Sequence, residues 1–167
     1  MSKHAAHGIS AELPSGWSAL IYRRRDDDSV TGKAAEEVPE SGAIFHAATV
    51  PLEQNDADFG SSVVRRLGSI DTLIVLMEYA VDENLRPGEG LFEERGVPWP
   101  LDARDFSSRS LQVTVEGQAG VQRFFTIEDR PFCLYVVLGS RRALRQLDRI
   151  NSVLDSLEIE PGEQAAA

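Results

Sequence analysis

The chain has 167 residues, a net charge of −10, and 42% hydrophobic and 26% charged residues, which excludes a disordered chain and suits one domain able to bury a core without staples. The acidity argues against nucleic-acid partners, whose affinity comes from Lys and Arg on phosphates, and against anionic membrane surfaces. Cys133 is the single cysteine, so an internal disulfide and a cysteine-based zinc site are excluded as well.

Residues 1–8 are short and polar, without the apolar core of a secretory signal, and read as a flexible tail, as do residues 160–167. The domain is therefore expected over 9–159, with a cytoplasmic location. Ile9, Ala11 and Leu13 alternate with Ser10 and Glu12, the pattern of a strand with one wet face. Pro14-Ser15-Gly16 supplies a turn, and residues 17–22 resume as a strand expected to pair back as a hairpin. Residues 26–40 read as a polar loop, followed by a strand over 44–50 that ends at Pro51. Phe59, Val63 and Leu67 then recur at helical spacing, with Asp58 or Ser61 as N-cap and Gly68 as C-cap, predicting a two-turn helix.

Residues 72–79 are apolar on both faces, with Leu73, Val75, Met77 and Tyr79 on one and Ile74 and Leu76 on the other. Residues 132–138 behave the same way. Two such strands must lie inside a sheet with material above and below them. Between them, 81–109 is a long Pro- and Gly-punctuated segment, of a length that inside a domain usually serves function or packs as a lid. Leu111, Val113 and Val115 alternate with polar residues, and a strand over 121–127 follows, so an antiparallel three-strand meander is expected. Leu144, Leu147, Ile150, Val153, Leu154 and Leu157 form one helical stripe, the signature of a long helix packed on a sheet face, and residues 157–159 add a short last strand. These elements predict an α+β domain, an antiparallel sheet sandwiched by helices.

The opening Ile9-x-Ala11-x-Leu13-Pro14-x-Gly16-Trp17 and the closing 150–159 stretch resemble the ends of domains in the PsbP superfamily, which includes a photosystem extrinsic subunit and the Mog-type Ran-binding import factor. The chain also resembles uncharacterised bacterial proteins carrying His46-Ala47-Ala48-Thr49 and the 117–125 stretch from Gly117 to Phe125. The resemblance implies an α/β/α sandwich whose members bind proteins or assemble into complexes, and it implies no catalysis.

Residue chemistry offers no nucleotide loop, nucleophile elbow or zinc-protease motif. His46 falls within a strand and reads as a structural histidine. His4 and His7 sit in the expected tail, and Cys133 in an apolar strand where burial opposes thiolate formation. Asp26-Asp27-Asp28 lacks the spacing and closing Glu of a calcium loop. No catalytic residue, metal ligand or cofactor is assigned.

Phe92, Val97, Trp99 and Leu101 in the 81–109 segment either cap an open sheet face, the commoner use of apolar loop residues, or form an interface. Arg104 and Arg123 either pair on the surface or frame an anion beneath the segment. The leading expectation is an interaction or accessory domain that binds a protein, including a second copy of itself. The alternative is a small-molecule or peptide binder with a pocket lined by Trp99, Arg104, Arg123 and His46. An enzyme ranks third.

Overall fold

The computed structural model describes residues 1–23, 42–53, 60–81 and 84–161. It opens with β1 (Ser2–Ala6) and β2 (Ile9–Leu13), antiparallel and joined by His7-Gly8. Both turn residues have positive φ, +52° and +77°, the twist that a two-residue hairpin needs. Residues 1–8 are therefore largely a strand and not a tail. Their polar side chains hide β1 from a search for apolar alternation, because it is an exposed edge strand.

Next come β3 (Ser18–Arg23), β4 (Ala43–Ala48) and β5 (Thr72–Glu78), then the hairpin of β6 (Ala119–Ile127) and β7 (Arg130–Leu138). Glu128 and Asp129 form its turn, again with both φ positive. These five strands make one antiparallel sheet in the order β3-β4-β5-β7-β6. A short 3-10 stretch, Arg141–Gln146, runs into α1 (Leu147–Ser156), and β8 (Glu158–Ile159) closes a second sheet in the order β1-β2-β8. The last strand expected near 157–159 is thus present and pairs with β2.

β5 and β7 occupy interior positions, and both of their faces are buried. On one face, Phe45, Ile74, Leu76, Val121, Phe125, Leu134 and Val136 share a core with Ile9, Ala11 and Leu13 of β2 and with Ile150, Val153 and Leu154 of α1. On the other, Ile44, Leu73, Val75, Tyr135 and Val137 pack under Val63, Val64, Leu67, Leu111 and Val113. The inference from double-sided apolarity holds for position.

The helix-sandwiched α+β architecture does not hold. The protein is mostly β, with two antiparallel sheets and, among the described residues, one α-helix, which lies beside the small sheet on the first face. The helices on both sides that the PsbP resemblance implied are overturned by the same finding. On the second face the described cover consists of loops and the 3-10 turn Val63–Arg66, where a two-turn helix was expected; Phe59 and Asp58 lie outside the described residues.

Two pairings differ as well. β2 and β3 do not form a hairpin: the turn closed by Trp17 N–H to Pro14 C=O carries the chain from one sheet to the other. Ile9, Ala11 and Leu13 therefore meet Ala19 and Ile21 through side chains in the shared core, not through a ladder. Residues 111–115 form no strand. The Gln112 N–H donates to the Tyr135 hydroxyl at 2.8 Å, and the chain crosses the second face with Leu111 and Val113 directed into it. Gly139, just past β7, is required because the Gly68 carbonyl fills the place of a Cβ.

Candidate functional site

Within the 81–109 segment, residues 84–109 form a clamped strap. It begins at an aromatic group in which Phe92 lies 5.4 Å from Tyr79 and 5.6 Å from Phe124, centroid to centroid. The Thr126 hydroxyl donates to the Phe92 carbonyl at 2.8 Å and accepts from the Gly88 N–H at 2.8 Å. The strap then lies along the free edge of β6: the Thr126 N–H donates to Glu94 C=O and the Gly96 N–H donates back to Thr126 C=O. It returns to that edge at Ser107, which exchanges two backbone hydrogen bonds with Gly120. Edge strands left bare invite aggregation, so covering β6 at both ends is a protective use of an irregular segment.

Between these two edge contacts, residues 97–106 pass over the first face of the large sheet. Leu101 and Phe106 are buried there, and Val97 packs against the same core. The Asn151 side chain of α1 accepts from the Leu101 N–H at 2.7 Å and donates to the Leu101 carbonyl at 3.0 Å. Arg141 donates to the Phe106 carbonyl at 2.8 Å. Asp102 and Asp105 form a reciprocal cap around the short turn Ala103–Asp105. Trp99, between two prolines and joined to Pro100 by a cis peptide bond, stays 48% exposed; Leu91 is 62% exposed.

The five residues singled out from sequence are not brought together. Register pairs Arg123 with Leu134, Leu134 with Leu76, and Leu76 with Phe45, so Arg123 lies on the first face. His46 pairs with Val75, which pairs with Tyr135, so it lies on the second. Arg123 and His46 thus point away from each other through the sheet. Arg123 meets Asp105 of the strap at 3.1 Å, and the exposed Arg104 pairs with Asp102 at 3.2 Å. Phe92 is buried in its aromatic group, and Trp99 alone of the five offers a large apolar surface to solvent. His46 is fully buried, its ring edge-on to Tyr22 with the phenol oxygen 3.5 Å from Nε2. Cys133 is buried too. Burial pushes its thiol above the ordinary value, only partly offset by hydrogen bonds with Gln122 and Tyr79.

Sequence reasoning missed Glu78 and Arg130. Their side chains form a two-point ion pair, with Arg130 Nη2 to Glu78 Oε1 at 3.0 Å and Arg130 Nε to Glu78 Oε2, and only 8% and 14% of the two side chains is exposed. Arg130 also donates to the Glu160 carbonyl at 2.8 Å and to the His7 carbonyl, and its guanidinium lies 5.3 Å from the Phe132 ring. Glu78 accepts from the Ala43 N–H. The pair binds the two sheets together, and residue 160 is held by it instead of fraying. The one local signal was a Glu ending an otherwise apolar strand.

Among the described residues, no group of three His, Cys, Asp or Glu side chains is placed to hold a metal ion, and no helix is long and apolar enough to cross a membrane. Compared with family models, curated proteins and solved structures, the chain matches none.

Proposed function

We propose that this chain is a non-catalytic interaction domain that binds a protein partner through the outer surface of the 81–109 strap, with Trp99 as its anchor. The observation that carries this reading is a contrast within one segment. Phe92, Leu101 and Phe106 are buried and the backbone is clamped at several points, yet Trp99 keeps about half its surface in water. A large side chain held out by a fixed backbone loses little further freedom on binding, and Trp is the residue type most enriched among interface hot spots. Leu91 is a second exposed apolar side chain of the same segment.

The pocket reading has less support, because His46 and Arg123 sit on opposite faces of the sheet. An enzyme centred on His46 has less still, since a wholly buried imidazole has no access to substrate.

The test is affinity capture from the source cell with the immobilised chain and with Trp99→Ala, each checked for folding. Loss of a hot-spot anchor costs at least ~2 kcal/mol, or roughly 30-fold in Kd, so proteins held by the native chain should be missing from the variant. Identical retained sets would refute the reading. Size-exclusion chromatography of both purified forms identifies the case in which the partner is a second copy.

A further inference from the structure

We propose that Asn151 of α1 is the positioning residue for Trp99, setting the geometry of the strap from 97 to 106; this rests on the interaction reading above. The Leu101 backbone lies in an irregular stretch where its side chain is buried, so its peptide N–H and C=O need partners inside the protein. No neighbouring strand supplies them. The Asn151 carboxamide carries the same donor–acceptor pair as a peptide and meets both groups, at 2.7 and 3.0 Å. Trp99 is two residues upstream, and Pro100 between them restricts the backbone. Where Asn151 holds Leu101 therefore dictates where the indole stands.

The other attachments do not substitute for this one. The Glu94–Gly96 and Ser107 contacts fix the ends of the strap on β6. Arg141 grips Phe106 at 2.8 Å and reaches the Ala103 carbonyl only at 3.4 Å, both downstream of Leu101, and the Arg123–Asp105 pair is 43% and 30% exposed, where ion pairs contribute little. Next to Asn151 on the same helix, Ile150, Val153 and Leu154 are buried in the core. The same helix thus joins the core and presents the strap.

The test compares the native chain with Asn151→Ala and Asn151→Asp, by amide hydrogen exchange and by the two indole resonances of protein carrying 15N-tryptophan, assigned with Trp99→Phe. In Asn151→Ala the Leu101 amide should exchange about 10-fold faster or more and the Trp99 indole signal should shift, while amides in β5 and β7 keep their native rates. Asn151→Asp retains an acceptor for the Leu101 N–H but loses the donor to its carbonyl, so Leu101 should stay better protected than in Asn151→Ala. An unmoved Trp99 signal with native Leu101 exchange overturns the proposal. So does a parallel acceleration in β5 and β7, which marks a merely structural residue, or equal Leu101 rates in the two variants. These readouts need no partner, so their failure is separate from a failure of capture by the native chain.

Discussion

The two faces of the large sheet are equally dry and very differently built. Over one lie regular elements, β1, β2, β8 and α1, whose backbone groups largely satisfy one another, with the strap completing the layer. Over the other lie the Val63–Arg66 turn and the 111–118 crossing, whose backbone is held by side chains: the Tyr135 hydroxyl accepts from Gln112, and Gln118 donates to the Val64 carbonyl at 2.6 Å. Apolar strand residues demand cover, and they are indifferent to its secondary structure. What decides the kind of cover is how the covering chain finds partners for its own N–H and C=O groups.

The largest expected effect breaks the tie on the regular face. Arg130→Met leaves Glu78 charged and buried without its partner, and such a loss costs ~3–5 kcal/mol, measured as a shift of the urea midpoint. Replacing both residues, Glu78→Leu with Arg130→Met, should recover most of that cost. If the single and double variants are equally unstable, the pair does not act as a unit joining the sheets.

Cavities on the two faces should follow in size. Ile150→Ala, on the regular face, should cost ~2–5 kcal/mol. Val64→Ala, beneath the loops, removes two methyl groups and should cost ~1.6 kcal/mol by the area removed from water. Hydrogen exchange sharpens the contrast. Around Val64 and in 111–118 protection should be lost by local opening, whereas β5 and β7 should open only with global unfolding. Equal protection over both layers would show that loop cover is as cooperative as sheet cover.

This contrast also explains what the sequence could and could not disclose. The interior places of β5 and β7 were legible because every residue from Phe132 to Leu138 is apolar, and α1 was legible from its stripe. Hidden from local pattern were the exposed strand β1, the transfer of the chain between sheets at Pro14–Trp17, and the Glu78–Arg130 pair, 52 residues apart. Each depends on contacts distant in sequence. Leu111 and Val113 misled for a related reason: alternation reports which side chains go inward, and a chain crossing a face alternates like one that joins its edge. In the candidate site, Trp99 was visible as an aromatic between prolines, while the grip of Asn151 on Leu101 could not be read from an asparagine in a helix.

The smallest expected effect is confined to alkaline pH and should single out the irregular face. Tyr79, Cys133 and Tyr135 all lie on that side, and burial is the first cause that raises each; Tyr79 is pushed up to about 12, with Cys133 beside it adding to the rise. In the unfolded chain a tyrosine gives up its proton near pH ~10. Between about 10 and 12 the folded state therefore holds a proton that the unfolded state has lost, so stability must fall as pH rises through that window. Tyr79→Phe should flatten this fall without abolishing it, because Tyr135 and Cys133 remain and act in the same sense. Exchange around Val64 and in 111–118 should quicken before exchange in β2 or α1. An alkaline midpoint that Tyr79→Phe leaves untouched would mean the phenol is already free to ionise in the folded protein, and the Phe92 and Phe124 rings packed against it are not a seal.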